Sequence, residues 1–263
     1  MSRKSTKIIK IILIVLGSFL ALDLTIVGLL FVPPIQNKVV DMVTGMLSEK
    51  WHSEIHIGSV YITPTLKAKV NDFAIRDHHG NDMIAAEQLQ TRITQLKVSP
   101  VHLCFGTIEG DKVKVVVRKY KGDDAVNISI WAKNFAKKKK NPKPFKMNAK
   151  SIILKDSYFL YANDEKRLAD HGNEMDYAFF EIKDIDWTLN QFALIGSDIS
   201  ADFEKMSFKQ YSGFQLMDLV CKFHISGNGL SMKDATLITP TSRVYMDFAF
   251  DYDTWKDFGD FLN

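Results

Sequence analysis

The chain has 263 residues, of which 46% are apolar and 25% charged; these values are typical of globular proteins and exclude wholesale disorder, collagen-like repeats and disulfide scaffolds. The net charge of +3 arises within residues 1–34, where four basic residues stand against one acidic residue, while residues 35–263 carry 30 residues of each sign. Because no basic field extends over the larger part of the chain, the charge predicts no nucleic-acid partner.

A membrane-spanning helix is predicted near the N-terminus. Residues 11–32 form a 22-residue stretch in which Asp23 is the only charged residue. As a helix this stretch measures roughly 33 Å, enough to cross a hydrocarbon core of about 30 Å. The basic residues that precede it are Arg3, Lys4, Lys7 and Lys10. Since cytoplasmic flanks are rich in Lys and Arg, residues 1–34 are predicted to be a cytoplasmic basic tip and a transmembrane signal anchor.

Two properties of this segment leave alternatives open. A cleaved signal peptide has an apolar region of roughly 7–15 residues and a small-x-small cleavage site. The longer run here, with Ala21-Leu22-Asp23 as a poor site, favours an uncleaved anchor. Asp23 is costly in lipid, which is explained either by a partner helix or by an off-centre position at a water defect.

A short amphipathic helix is predicted over residues 35–50. Pro33 and Pro34 are expected to end the transmembrane helix because proline lacks an N–H. Apolar side chains then recur at three- and four-residue steps. They are Ile35, Val39, Met42, Val43, Met46 and Leu47. Two placements fit this pattern: on the membrane surface, or as a cap on the end of the following domain.

From residue 55 onward the apolar pattern has a period of two, which indicates strands with one apolar face and one wet face. Three segments carry ten candidate residues on their apolar faces. These are Val113, Val115 and Val117 in the first, Leu219, Phe223 and Ile225 in the second, and Val244, Met246, Phe248 and Phe250 in the third. Shorter runs occupy residues 60–62, 66–70, 89–96, 126–131, 152–154, 158–161, 179–182, 187–189 and 199–203.

About a dozen strands, with turn residues between many of them and almost no helix beyond residue 50, predict a mainly β protein. The expected fold is an N-terminal transmembrane helix and a short amphipathic helix, followed over residues 51–263 by an extended antiparallel, curved sheet. Alternation is the same for an open apolar groove and for the closed core of a sandwich, so both remain open.

A lysine-rich loop is predicted at about residues 133–150. Between residues 133 and 155 there are nine lysines and no acidic residue, and Pro142 and Pro144 interrupt the segment. Such a segment either binds anionic lipid or forms a solvated loop between two β segments. From residue 156 onward 9 basic residues stand against 19 acidic residues, so the charges are segregated along the chain.

The sequence predicts no catalytic, cofactor-binding or metal-binding site, and no enzyme. It has no Gly-x-Ser-x-Gly elbow, no Walker loop and no Gly-x-Gly-x-x-Gly. The pair His78-His79 is interpreted as solvated residues of a turn. Cys104 and Cys221 are the only cysteines. Either they pair in an oxidising compartment, or Cys221, on the apolar face of its strand, is a buried free thiol.

Several short stretches, taken in order, carry a family resemblance. They are Val32-Pro33-Pro34-Ile35-Gln36, then Ile57-Gly58-Ser59-Val60, then Val70-Asn71-Asp72-Phe73 with Asp77-His78-His79-Gly80, and finally Met206-Ser207-Phe208, Leu237-Ile238-Thr239-Pro240 and Phe250-Asp251-Tyr252. This order of elements resembles the N-terminal region of the AsmA-like proteins, especially the TamB translocation and assembly family of the Bacteroidetes type.

The resemblance implies a taco-like β groove, anchored in the inner membrane with its bulk in the periplasm. Such a groove carries phospholipid between the inner and outer membranes, with the ten candidate residues facing the lipid. The implied partners are the inner membrane, phospholipid and an outer-membrane assembly protein of the BamA/TamA type. The resemblance also implies that the chain is the first part of a longer protein, or a short relative.

Two other functions remain open at this point. The first is an anchored scaffold or chaperone, whose sheet edges pair with nascent outer-membrane strands by β-augmentation during assembly and secretion. The second is an anchored hydrolase without a recognisable motif.

Overall fold

The computed structural model describes residues 32–51, 53–65, 67–98, 101–134, 144–168 and 175–254. The predicted anchor lies outside these residues except for Val32, and so do residues 135–143 of the lysine-rich segment. Among the helices in the described ranges, none has the length and apolar character needed to cross a membrane.

The described ranges contain two helices and twelve strands, which confirms the prediction of a mainly β protein. Helix α1 is Pro33–Trp51 and helix α2 is Asn127–Lys133. The strands are β1 (Ile55–Ile62), β2 (Lys67–Arg76), β3 (Asp82–Val98), β4 (Val101–Asp111), β5 (Lys114–Lys119), β6 (Lys146–Asn163), β7 (Phe179–Ile195), β8 (Asp198–Gln210), β9 (Gln215–Leu216), β10 (Asp218–Ser226), β11 (Gly229–Ile238) and β12 (Arg243–Asp251).

All twelve strands belong to one sheet, in the order β1-β2-β3-β4-β6-β7-β8-β10-β11-β12. Strand β5 continues β4 in the same position between β3 and β6, and β9 pairs with β8. Most neighbours are antiparallel, but β4 and β5 run parallel to β6, so the prediction of a wholly antiparallel sheet is wrong here. The connection is the physical reason, because a chain that crosses over through a helix returns in the parallel sense.

Strands β6 and β7 are 18 and 17 residues long, whereas the sequence predicts two short runs in each. Between those runs Asp156 and Asp184 adopt φ values of 48° and 51°, and the pairing register shifts. The Asp156 N–H donates to Asp186 Oδ1 at 2.9 Å. The polar interruption is therefore a β-bulge within a continuous strand and not a turn, which Asp suits because it tolerates left-handed backbone.

A β-bulge with a left-handed aspartate also occurs in β11. Asp234 has a φ of 53°, and its N–H donates to Asp247 Oδ1 of β12 at 2.8 Å. Here too the register shifts, between Met232 and Ala235. The left-handed aspartates let long strands change which residues face the apolar side without leaving the sheet.

Two further predictions are wrong in detail. Residues 126–131, predicted as a strand, lie largely in α2, where Ile128 and Trp131 pack against the core made by Ile55, Ile75 and Met83. These two residues are three positions apart, which places them on one helical face. Packing against the core therefore favours a helix here over the strand that the alternation predicts. The lysine-rich loop is also shorter than predicted, because residues 146–150 lie in β6.

The predicted amphipathic helix is present as α1, but it begins at Pro33. The two prolines open this helix, where their missing N–H groups cost nothing. At its other end, Ser48 Oγ accepts a hydrogen bond from the Ile55 N–H at 3.1 Å, which joins α1 to β1. The Met42 side chain, on the predicted apolar face, is 61% exposed.

Replacing Gly58 with Ala is expected to destabilise the protein by about 1–3 kcal/mol. A Cβ at Gly58 would lie 2.8 Å from the Cβ of Asp72 on β2, and no rotation of a side chain moves that atom away. The matched control is Gly45→Ala in α1, where nothing lies within 4 Å and a gain of up to about 1 kcal/mol is expected. Urea unfolding of the full chain in detergent measures both; effects of the same sign would contradict the packing argument.

Candidate functional site

The residues of neighbouring strands pair directly into rows that run across the sheet. Directly paired residues project from the same face of a sheet, so each row is a continuous stripe of side chains. The first row is Ile55, Ile75, Ile84, Val115, Phe159 and Ile182. The second row is Val60, Val70, Leu89, Gly110, Leu154, Trp187 and Met206. The third row is Leu103, Met147, Leu194, Ile199, Ile225, Leu230 and Phe250.

The third row crosses seven strands, from β4 to β12, without one polar residue. All seven of its side chains are half-buried. With neighbouring strands about 4.8 Å apart, the row extends over roughly 29 Å along the sheet. This length matches the hydrocarbon thickness of a bilayer, about 30 Å.

The rows differ in what covers them. Helix α2 packs on the first row, because its Ile128 and Trp131 contact the core around Ile55 and Ile75. In the described part of the chain all strands belong to the one sheet, and the two helices pack against β1 and β5. No second layer formed by these residues covers the third row, and Phe248 beside it is 42% exposed.

The structure separates the ten predicted groove residues into two groups. The first group is Val113, Val115 and Val117. Val115 lies in the first row, and Val117 pairs with Tyr161 of β6. Val113 lies beside Gly110 of the second row, where an added Cβ would be 2.6 Å from Val113 Cγ2. The other seven lie together on β10 and β12. They are Leu219, Phe223, Ile225, Val244, Met246, Phe248 and Phe250.

Strand β11 joins the residues of this second group. Ile225 and Phe250 both pair with Leu230, and Phe223 and Phe248 both pair with Met232. Leu230 and Met232 are not among the predicted residues, because the sequence pattern predicts no strand over β11. Their alternation with Ser231 was the available signal, but Lys233 and Asp234 at the bulge interrupt it.

A buried polar cluster lies at the end of the sheet where α2 packs. Asp77 is 6% exposed and Asn127 is fully buried. Asp77 Oδ2 accepts hydrogen bonds from Tyr120 Oη at 2.6 Å and Asn127 Nδ2 at 3.0 Å. Asn127 Nδ2 also donates to the Val116 carbonyl, and its Oδ1 accepts from the Arg118 N–H. These bonds tie the start of α2 to β5 and to the β2–β3 turn.

Hydrogen bonding controls the ionisation of this cluster. Burial alone raises the pKa of Asp77, but the hydrogen bonds from Tyr120, Asn127 and two backbone N–H groups outweigh it and hold the pKa below its usual value. Burial and the hydrogen bond to Asp77 raise the pKa of Tyr120 to about 12. At neutral pH the carboxylate is therefore charged and the phenol is a donor.

The two cysteines are unpaired in the structure. Cys221 is 3% exposed, which confirms the prediction of a buried free thiol, and burial, with Asp202 nearby, raises its pKa to about 11. Cys104 Sγ lies 3.3 Å from His102 Nε2, and the same nitrogen lies 2.7 Å from Asn148 Oδ1. One ring nitrogen cannot accept from a thiol while donating to an amide, so these residues do not form the relay of a cysteine hydrolase.

No protein-family model matches the sequence, and no curated protein matches it either.

Replacing Asp77 with Asn is expected to destabilise the protein at pH 7 by about 1–3 kcal/mol, since the neutral amide is a poorer acceptor for four donors. Because the folded-state pKa of Asp77 is lowered, its contribution is complete above the unfolded pKa of about 4. It is lost as the pH falls through the folded-state pKa. Urea unfolding between pH 7 and pH 3 should show a shallower acid dependence for Asp77→Asn. The control Asp124→Asn, an exposed neighbour, should keep the full dependence; parallel curves for all three proteins would contradict the assignment.

Proposed function

We propose that this chain is the membrane-proximal part of a non-enzymatic lipid conduit of the TamB/AsmA-like type. It is anchored in the inner membrane by residues 11–32, with its bulk in the periplasm, and it carries phospholipid between the inner and outer membranes. The observation that carries this proposal is the third row: seven paired apolar residues with no layer of the described chain over them.

An apolar face is stabilised by whatever apolar group covers it and keeps water away. Each methylene that leaves water gains about 0.8 kcal/mol, so an apolar stripe of roughly 29 Å is a strong binder of hydrocarbon. An acyl chain that moves from the bilayer onto the stripe exchanges one apolar environment for another. Movement along the stripe therefore costs little, while escape into water costs the full transfer free energy.

Features at the N-terminal side support a place at the membrane. Residues 11–32 are long and apolar enough to span a bilayer, and α1 follows directly. The exposed Met42 fits an amphipathic helix that lies in the headgroup region. In this proposal lipid enters past α1, the lysines of residues 133–150 face anionic headgroups, and the far end delivers to an outer-membrane assembly protein of the BamA/TamA type.

Photocrosslinking in intact membranes tests the proposal. Benzoylphenylalanine at position 248, on the apolar face of β12, is expected to form adducts with phospholipid. The matched control is position 245 in the same strand, whose Tyr245 is 69% exposed and projects from the opposite face; it should give several-fold fewer lipid adducts. A second pair, Ile225 against Val220 on β10, repeats the comparison. Mass spectrometry of the crosslinked peptides identifies the adducts, and equal lipid yields on the two faces would exclude the conduit.

A second candidate function is favoured by the edge strand β12. Within the described residues β12 pairs only with β11, and Val244, Tyr245 and Phe248 are exposed along it. Such an edge pairs with an incoming strand by β-augmentation, as a scaffold or chaperone for outer-membrane proteins requires. In the same experiment this function predicts protein adducts at both positions 245 and 248, in place of lipid adducts at position 248 alone.

A further inference from the structure

We propose that His78, His79 and Asp123 form a binding site for a transition-metal ion of the Zn²⁺ class. Within the residues that the structure describes, they are the one group of three His, Cys, Asp or Glu side chains whose potential ligand atoms all lie within 4.8 Å of one another. The site lies at the α2 end of the sheet and is separate from the apolar rows.

The distances are close to those of a coordination sphere. Asp123 Oδ2 lies 2.8 Å from His78 Nε2 and 3.4 Å from His79 Nε2. Zinc binds imidazole and carboxylate at about 2.0–2.2 Å, so tetrahedral ligand atoms stand about 3.4 Å apart. Since all three potential ligand atoms lie within 4.8 Å of one another, side-chain rotations would be enough to bring them around one ion.

The backbone that carries the ligands is already fixed. Asp77 Oδ1 accepts hydrogen bonds from the His79 and Asn81 N–H groups, both at 3.0 Å, which hold the β2–β3 turn. The Asp123 N–H donates to the Tyr120 carbonyl at 3.1 Å. The His79 ring lies 4.0 Å from the Tyr120 ring, which restricts its orientation. An ordered set of ligands lowers the entropy that metal binding must overcome.

The local charge also favours a cation. Besides Asp123, the acidic residue Asp77 belongs to the same turn and directly precedes His78. The guanidinium of Arg118 stacks on Tyr120 at 4.9 Å and is paired with Asp164 at 2.8 Å. An ion would take the position between His78 Nε2 and Asp123 Oδ2, which now lie within hydrogen-bonding distance of each other.

A ligand set of two imidazoles and one carboxylate favours transition-metal ions over magnesium and calcium. Imidazole suits zinc, copper, nickel and cobalt, whereas magnesium and calcium prefer oxygen ligands alone. Three protein ligands leave a fourth position open for water or an external ligand. Bound there, the ion would link the β2–β3 turn to the loop between β5 and α2, and so hold α2 against the first row.

Calorimetric titration of the full chain in detergent, purified through a tag without histidine, tests the site with ZnCl₂. One ion per chain is expected at micromolar Zn²⁺, with a raised Tm, while MgCl₂ and CaCl₂ give neither. His78→Asn and Asp123→Asn should each weaken binding at least about tenfold. His224→Asn, at an exposed histidine of β10, and Asp124→Asn, at the exposed acid next to Asp123, change residues outside the proposed ligand set and should leave it unchanged.

Cobalt provides a second readout that a general loss of stability would not produce. Co²⁺ in the wild-type protein should show the visible absorption of a tetrahedral nitrogen–oxygen site, and this absorption should disappear in folded His78→Asn, as checked by circular dichroism. Absence of saturable Zn²⁺ binding to the wild-type protein, or equal binding by Asp123→Asn and Asp124→Asn, would overturn the proposal.

Discussion

A sheet with one apolar face needs a cover, and this constraint shapes the whole protein. Twelve strands form a single layer in the described chain, and only one end of that layer has a helix over it. An apolar stripe of seven paired residues left to water would be strongly unfavourable, since hydrophobic burial is the main favourable term in folding. In the proposed function an acyl chain, which matches the third row in chemistry and length, provides this cover.

The period of two, which any strand with one buried face produces, made the fold class predictable from the sequence. What alternation does not encode is the strand boundary. At Asp156 and Asp184, which lie between the short predicted runs, the chain forms bulges, where left-handed backbone keeps a long strand in the sheet. Helix α2 was also hidden, because Ile128 and Ile130 alternate as they would in a strand, while the packing of Trp131 with Ile128 decides for a helix.

The candidate site was predictable only strand by strand. Phe223, Ile225, Phe248 and Phe250 follow from the alternation within their own segments. These four residues form one surface because of the cross-strand register. That register is set by turns and bulges that lie far apart in the sequence. Leu230 completes the third row, and no pattern within β11 alone reveals which residues of β10 and β12 it faces.

The packed core lies at the α2 end of the sheet, and the uncovered apolar side chains lie toward β12. At the α2 end, the core around Met83, which is fully buried, and the hydrogen bonds of Asp77 and Asn127 provide fixed, specific packing. Buried polar groups that are fully satisfied make a structure rigid and unique. From β8 to β12, by contrast, no second layer of the described chain covers the apolar side chains of the third row. Under the proposed function, fixed packing and contact with lipid therefore lie on different residues, and a lipid can bind along the third row without breaking the packed core.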